Sequence, residues 1–188
     1  MRILTPEEFN KEKFYFLDII KNGAVFVYPT DTIYGLGCNA LVPKSVRKIR
    51  QLKDRPNNPF SVIVPSNQWI LENCVVDANG TEWLNKIPGP YTLIFRLKKN
   101  CVAKQVNPNL DTLGIRIPKH WISNFVAELK VPIVTTSVNK AGADFMASLE
   151  DIDNYIKSNV DFIIYEGEKK GNPSKIIDLS NKLEIIEG

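Results

Sequence analysis

The stretch Tyr28-Pro-Thr-Asp-Thr-Ile-Tyr-Gly-Leu-Gly37 constrains this chain more than any other, because it follows an apolar run and sets hydroxyls and glycines where a strand should end. Glycine lets backbone approach a ligand closely, and the exits of strands are where open α/β sheets bind small anionic ligands. Taken alone, the stretch also reads as a tight loop with a turn and no ligand.

The flanking patterns alternate irregularly between helix and strand. Residues 6–22 read as one helix, with acids in the first turn, Phe9, Phe14, Leu17 and Ile20 near helical spacing, and Gly23 as a stop. Over 44–53, Val46, Ile49 and Leu52 recur three apart, which turns Arg47, Lys48 and Arg50 toward water and delivers Lys53 and Arg55 to the helix exit. Further helices are expected over 122–129 and 149–158, and strands over 24–28, 60–64, 91–97, 114–117, 132–135, 162–165, 176–179 and 183–186. No run of Gly, Ser or Pro divides the sequence. The expectation is a single α/β domain over residues 1–188, a twisted mixed parallel and antiparallel sheet with flanking helices and an open basic cleft.

Composition narrows the chemistry. With 188 residues and 44% apolar content the chain can bury one substantial core. Cys38, Cys74 and Cys101 are widely spaced and odd in number, fitting neither a disulfide framework nor a zinc site. One histidine, His120, excludes a multi-histidine metal site, and no metal ligand is assigned. No apolar run approaches the ~20 residues of a membrane span, and the start lacks a cleavable apolar core, so a cytoplasmic protein without a membrane partner is expected. The net charge of +3 permits nucleic-acid contact without demanding it. Neither a Walker-type loop nor a spaced Gly-x-Gly-x-x-Gly is present, which sets aside the standard nucleotide cradles.

Four more segments offer polar groups. Lys53-Asp-Arg-Pro56 supplies two cations at a helix end, where the macrodipole alone also favours them. Thr112-Leu-Gly-Ile-Arg116 sets an arginine in an apolar strand, costly unless it is paired, faces solvent or meets a ligand. Thr135-Thr-Ser-Val-Asn-Lys-Ala-Gly142 carries hydroxyls and an amide with no nearby base to activate a nucleophile, so positioning is the expected role. Asn172-Pro-Ser-Lys-Ile-Ile-Asp178 is by itself a turn.

Together these segments resemble the YrdC family, whose members make threonylcarbamoyl-AMP from L-threonine, bicarbonate and ATP for tRNA modification. The likeness spans residues 23–178 and is to the short, bacterial TsaC-type form, lacking the extra C-terminal domain of longer members. It implies a YrdC-like fold and assigns Lys53 and Arg55 to catalysis and to the triphosphate. It further assigns Thr32, Arg116, Thr135 and Ser174 to threonine, with Arg116 on its carboxylate, and Asn58, Thr112, Ser137 and Asn139 to the nucleotide. Magnesium is expected to come with ATP, and Asp31, Asp54 and Asp111 are acids able to assist through water. A tRNA-modifying threonylcarbamoyl transferase complex is the implied recipient of the product, and direct contact with tRNA or double-stranded RNA is a further expectation.

The sequence departs from the family pattern at several points. The loop from Arg55 to Phe60 is one residue short, Ile63 stands where longer members have a histidine, Val138 and Ala141 replace a commoner alanine and serine, and Ile186 replaces an arginine. Two rival readings are a non-catalytic double-stranded RNA-binding module and a carbamoyl-adenylate-forming domain like that of hydrogenase-maturation proteins.

Overall fold

The computed structural model describes residues 1–181 and 183–186. In chain order its strands are β1 (Arg2–Leu4), β2 (Phe26–Tyr28), β3 (Gly35–Gly37), β4 (Ser61–Ile63), β5 (Tyr91–Arg96), β6 (Thr112–Arg116), β7 (Ile133–Ser137), β8 (Phe162–Ile164), β9 (Lys175–Asp178) and β10 (Glu184–Ile186). The helices are α1 (Pro6–Lys11), α2 (Lys13–Lys21), α3 (Pro43–Lys53), α4 (Asn67–Asn73), α5 (Ala78–Leu84), α6 (Trp121–Leu129) and α7 (Asn154–Asn159). The strands join in the order β1-β8-β2-β3-β7-β4-β6-β5-β9-β10. Strand β8 runs parallel to β1 and β2, as β4 does to β6 and β5 to β9; the other pairs are antiparallel. The mixed sheet with flanking helices is therefore present. No helix of the described residues is long and apolar enough to cross a membrane.

Side-chain alternation sorts the core into two layers. Val27, Leu36, Val62, Leu93, Phe95, Leu113, Ile115, Val134 and Ile177 point to one face, where Ile49 of α3, Ile70 of α4, Leu84 of α5 and Ile156 of α7 cover them. Phe26, Tyr28, Ile63, Ile133 and Phe162 point to the other, covered by Phe9, Phe16 and Ile20 of α1 and α2 and by Phe125 of α6. Phe9, Phe16, Phe26 and Phe162 pack there ring against ring with centroids 4.7–6.2 Å apart. On this second face the helices shield β1, β8 and β2 and the Ile63 and Ile133 ends of β4 and β7, while Ser61 of β4 and the residues of β6, β5 and β9 that point the same way form the floor of a bay.

Several local expectations are corrected. The expected helix over 6–22 breaks at Glu12 into α1, started by a Thr5–Glu8 capping box, and α2. The break turns Phe16 inward and leaves Phe14 82% exposed. The helix expected over 149–158 is only Asn154–Asn159. Within the opening motif Gly35–Gly37 is itself strand β3, paired with β2 and β7; a side chain at Gly37 would lie 2.5 Å from the Val134 carbonyl. Ile186 ends β10, and its side chain lies outside the described residues.

Candidate functional site

A cavity of about 510 Å³ opens over the bay. Its floor follows from period two: Thr112, Gly114 and Arg116 share one face of β6, Thr92 and Ile94 one face of β5, while their alternates Leu113, Ile115, Leu93 and Phe95 enter the core. Gly114 keeps the floor low, since a Cβ there would meet Ser61 Oγ at 2.5 Å. Thr135 and Ser137 of β7 form one wall, Tyr34 and Ser174 rise at another, and Arg55 and Phe60 close the far end.

Arg116 organises one end. Its Nη2 donates to Asp31 Oδ1 at 2.8 Å and to Thr32 Oγ1 at 3.2 Å, and Asp31 Oδ2 accepts from the Lys119 backbone N–H at 2.9 Å. Arg116 is 6% exposed. Burial pulls its pKa down and the Asp31 carboxylate works against that shift. Thr32 is itself buried and held through Thr30 Oγ1 at 3.1 Å. Across β9, Ser174 Oγ and Thr92 Oγ1 share a hydrogen bond of 2.7 Å.

The other end is built by α3. Lys53 is 1% exposed, and its Nζ donates to Ser137 O at 2.6 Å and to Asn139 O and Oδ1, each at 2.8 Å. Burial pulls this amine down to about 7, assisted by the charge on Arg55, yet three close oxygen acceptors call for all three ammonium protons. Ser137 Oγ also donates to Asn139 Oδ1 at 2.6 Å, and Asn139 Nδ2 to Ala143 O at 2.6 Å. The helix ends at Asp54, at φ 50° in the left-handed region, and the chain folds back over its last turn. Arg50, expected to face water, is instead 8% exposed and fixes the fold-back through the carbonyls of Arg55, Pro56 and Asn58 at 2.8–3.0 Å, with further bonds to Gln105 O and Val106 O.

The structure thus brings Arg55, Thr112, Arg116, Thr135, Ser137, Asn139 and Ser174 to one cavity and Thr32 to its edge through Arg116. Lys53 lies beneath the wall and holds Ser137 and Asn139 from behind. Asn58 is exposed and outside the cavity lining; its carbonyl, bound to Arg50, is what the loop uses. Arg55 and Arg116 are the cations of the lining, fewer than a broadly basic cleft would have. Their Nε atoms are the two buried side-chain nitrogens among the described residues that find no hydrogen-bond partner, and both arginines face the same cavity. A buried unpaired donor is costly, and the two arginines that carry one both line this cavity, where their guanidinium groups suit anions. Asp31, Tyr34 and Thr92 were not singled out from sequence for these roles; the alternation in β5 was the available signal for Thr92.

Among the described residues no three His, Cys, Asp or Glu side chains converge as a metal cage. Asp31 is engaged by Arg116 and Lys119, and Asp111 lies 3.5 Å from Arg96. A magnesium ion would fit here carried on substrate phosphates, the usual mode for this cation.

The Sua5/yciO/yrdC family model, described as telomere recombination, matches residues 18–187. A Methanocaldococcus jannaschii protein, provisionally named threonylcarbamoyl-AMP synthase, is 35% identical over 194 residues, covering 98% of this chain and 89% of that protein. Protein YciO of Escherichia coli, named as uncharacterised, is 30% identical over 90% of this chain and 84% of its own length. The crystal structure of Pyrococcus abyssi Sua5 complexed with L-threonine superposes with a TM-score of 0.85 at 28% identity, covering 98% of this chain and 56% of that one. The chain therefore spans about half of the length of that solved relative.

Proposed function

This chain is a member of the Sua5/YciO/YrdC family, and on that premise we propose that it is an L-threonylcarbamoyladenylate synthase. The observation that carries the reading is that Arg55 and Arg116, each with an unpartnered buried Nε, line one cavity, suited to a substrate pair with an anion at each end. Arg116 takes the amino-acid carboxylate, Asp31 already fixing its plane, with Thr32, Thr135 and Ser174 as flanking hydroxyls. Arg55 meets the triphosphate, beside Thr112, Ser137 and Asn139.

The threonine amine attacks carbon dioxide, supplied as bicarbonate, and loses a proton to become an N-carboxylate. One of its oxygens attacks the α-phosphorus of ATP, the bond to the bridging oxygen breaks, and pyrophosphate leaves with the electron pair. The protein's part is to orient the carbamate against the phosphorus and to offset charge at the phosphates, which arginines and hydroxyls do without a nucleophile. Magnesium bound to the triphosphate would supply further charge neutralisation.

The product is a mixed anhydride that water hydrolyses, so its recipient is a separate threonylcarbamoyl transferase complex acting on adenosine next to the anticodon in tRNA. Direct contact between this chain and tRNA is a separate part of the proposal, resting on the net positive charge. The test is incubation with ATP, L-threonine and bicarbonate, following pyrophosphate and the adenylate together. Equimolar appearance of the two is expected; ATP consumption with no adenylate would contradict the assignment.

A further inference from the structure

Residues 165–174 cross from β8 to β9 without regular secondary structure and pass beside the amino-acid end of the cavity. Gly171 is pressed against the opening motif so closely that a Cβ there would lie 2.4 Å from the Thr32 carbonyl oxygen. Three residues on, Ser174 lines the cavity and shares its hydrogen bond with Thr92. The strap therefore supports one threonine-end residue and supplies another, and an irregular segment of this length keeps its place only through the ties it makes.

Besides the Ser174–Thr92 bond and a backbone bond from Lys169 N–H to Ala147 O at 3.0 Å, the strap's ties converge on Glu166. Its Oε1 lies 2.9 Å from His120 Nε2 and accepts from Lys169 Nζ at 2.7 Å, and its Oε2 accepts from Trp121 Nε1 at 2.9 Å. The Tyr34 hydroxyl accepts from the Glu166 backbone N–H at 3.1 Å and donates to Gly167 O at 2.6 Å. His120 and Trp121 lie just beyond Arg116 and Lys119, so residues 116–121 hold two carboxylates: Asp31, fixing the loop of Thr32, and Glu166, fixing the strap. The chain's single histidine has its place in this knot.

We propose that Glu166 is a positioning residue for the amino-acid end of the site, clipping the strap to the start of α6 so that Gly171 stays on Thr32 and Ser174 stays at the cavity wall. The inference rests on reading that end as the threonine site. Burial pushes the Glu166 carboxyl up, but the hydrogen bonds from Lys169, Trp121 and His120 outweigh it and hold the group below its usual range, as a clip made of an anion among donors requires.

Amide hydrogen exchange of the strap, threonine and ATP affinities by calorimetry, and melting temperature are measured on the wild type, Glu166→Ala and Trp121→Phe. The second variant keeps an aromatic ring in the core and removes one donor. Strap amides should exchange about tenfold faster or more in Glu166→Ala, the size expected of lost charge-assisted hydrogen bonds, with a smaller change in Trp121→Phe. Threonine affinity should fall about tenfold while ATP affinity holds and melting drops only by what the lost clip itself contributes, a split that generalised loosening would not give. Unchanged strap exchange in both variants overturns the clip, and faster exchange with unchanged threonine affinity overturns the positioning role. A wild type that binds no threonine would refute the reading of the site, while the exchange arm still judges the clip.

Discussion

At the scale of single residues, Lys53 and Arg55 stand two positions apart and do different work. Arg55 is half-buried, with one long contact to Pro59 O at 3.4 Å, so Arg55→Ala should lower turnover about 10²–10³-fold with only a small change in melting temperature. Lys53→Ala removes the ammonium that ties Ser137 O, Asn139 O and Asn139 Oδ1 to α3 and should lose stability as well as activity, about 3 kcal/mol by denaturant titration. Equal stability of the two variants would contradict the division of roles. Arg116→Lys keeps the charge but loses the planar fork of donors held in place by Asp31; threonine binding should weaken roughly tenfold to a hundredfold by calorimetry, with ATP binding unaffected.

At the scale of elements, the strands with apolar runs were legible and the ones without were not. Thr-x-Gly-x-Arg declares its period of two, and β6 carries all three on the cavity face. Gly35-Leu-Gly37 has almost no side chains to alternate, so β3 passed for a loop, and the short α4 and α5 were missed in segments with little periodicity. In α3, positions 46, 49, 50 and 53 follow the i, i+3, i+4, i+7 stripe, which puts Arg50 and Lys53 on the inward face with Val46 and Ile49. Charge argued for water there, but carbonyls of the fold-back loop pair Arg50 and oxygens of Ser137 and Asn139 pair Lys53. Arg50→Lys gives a point charge that cannot reach five carbonyls at once, and a loss of about 2 kcal/mol in urea is expected. The strap gives a pH test. Glu166 sits below 4.5, so the unfolded state binds the proton first and its stabilisation, full above that value, fades as pH falls through the folded pKa. Glu166→Gln should therefore flatten the acid limb of the stability curve relative to wild type, and an identical limb would remove Glu166 from the account.

At the scale of the whole molecule, one packing asymmetry produces the site. Helices cover one face of the sheet but cover the other only over β1, β8 and β2 and the Ile63 and Ile133 ends of β4 and β7, and the same alternation that fills the core lines the open remainder with hydroxyls and Arg116, while Arg55 enters from the loop after α3. A single cavity lined by two arginines suits a condensation of two anionic substrates. The most direct test is an omission series on the purified protein, with pyrophosphate release from ATP measured with L-threonine alone, bicarbonate alone and both together, in carbon dioxide-depleted buffer. The account predicts release only when both are present, because the attacking oxygen exists only once the amine has been carboxylated. Release at the same rate without threonine would contradict it.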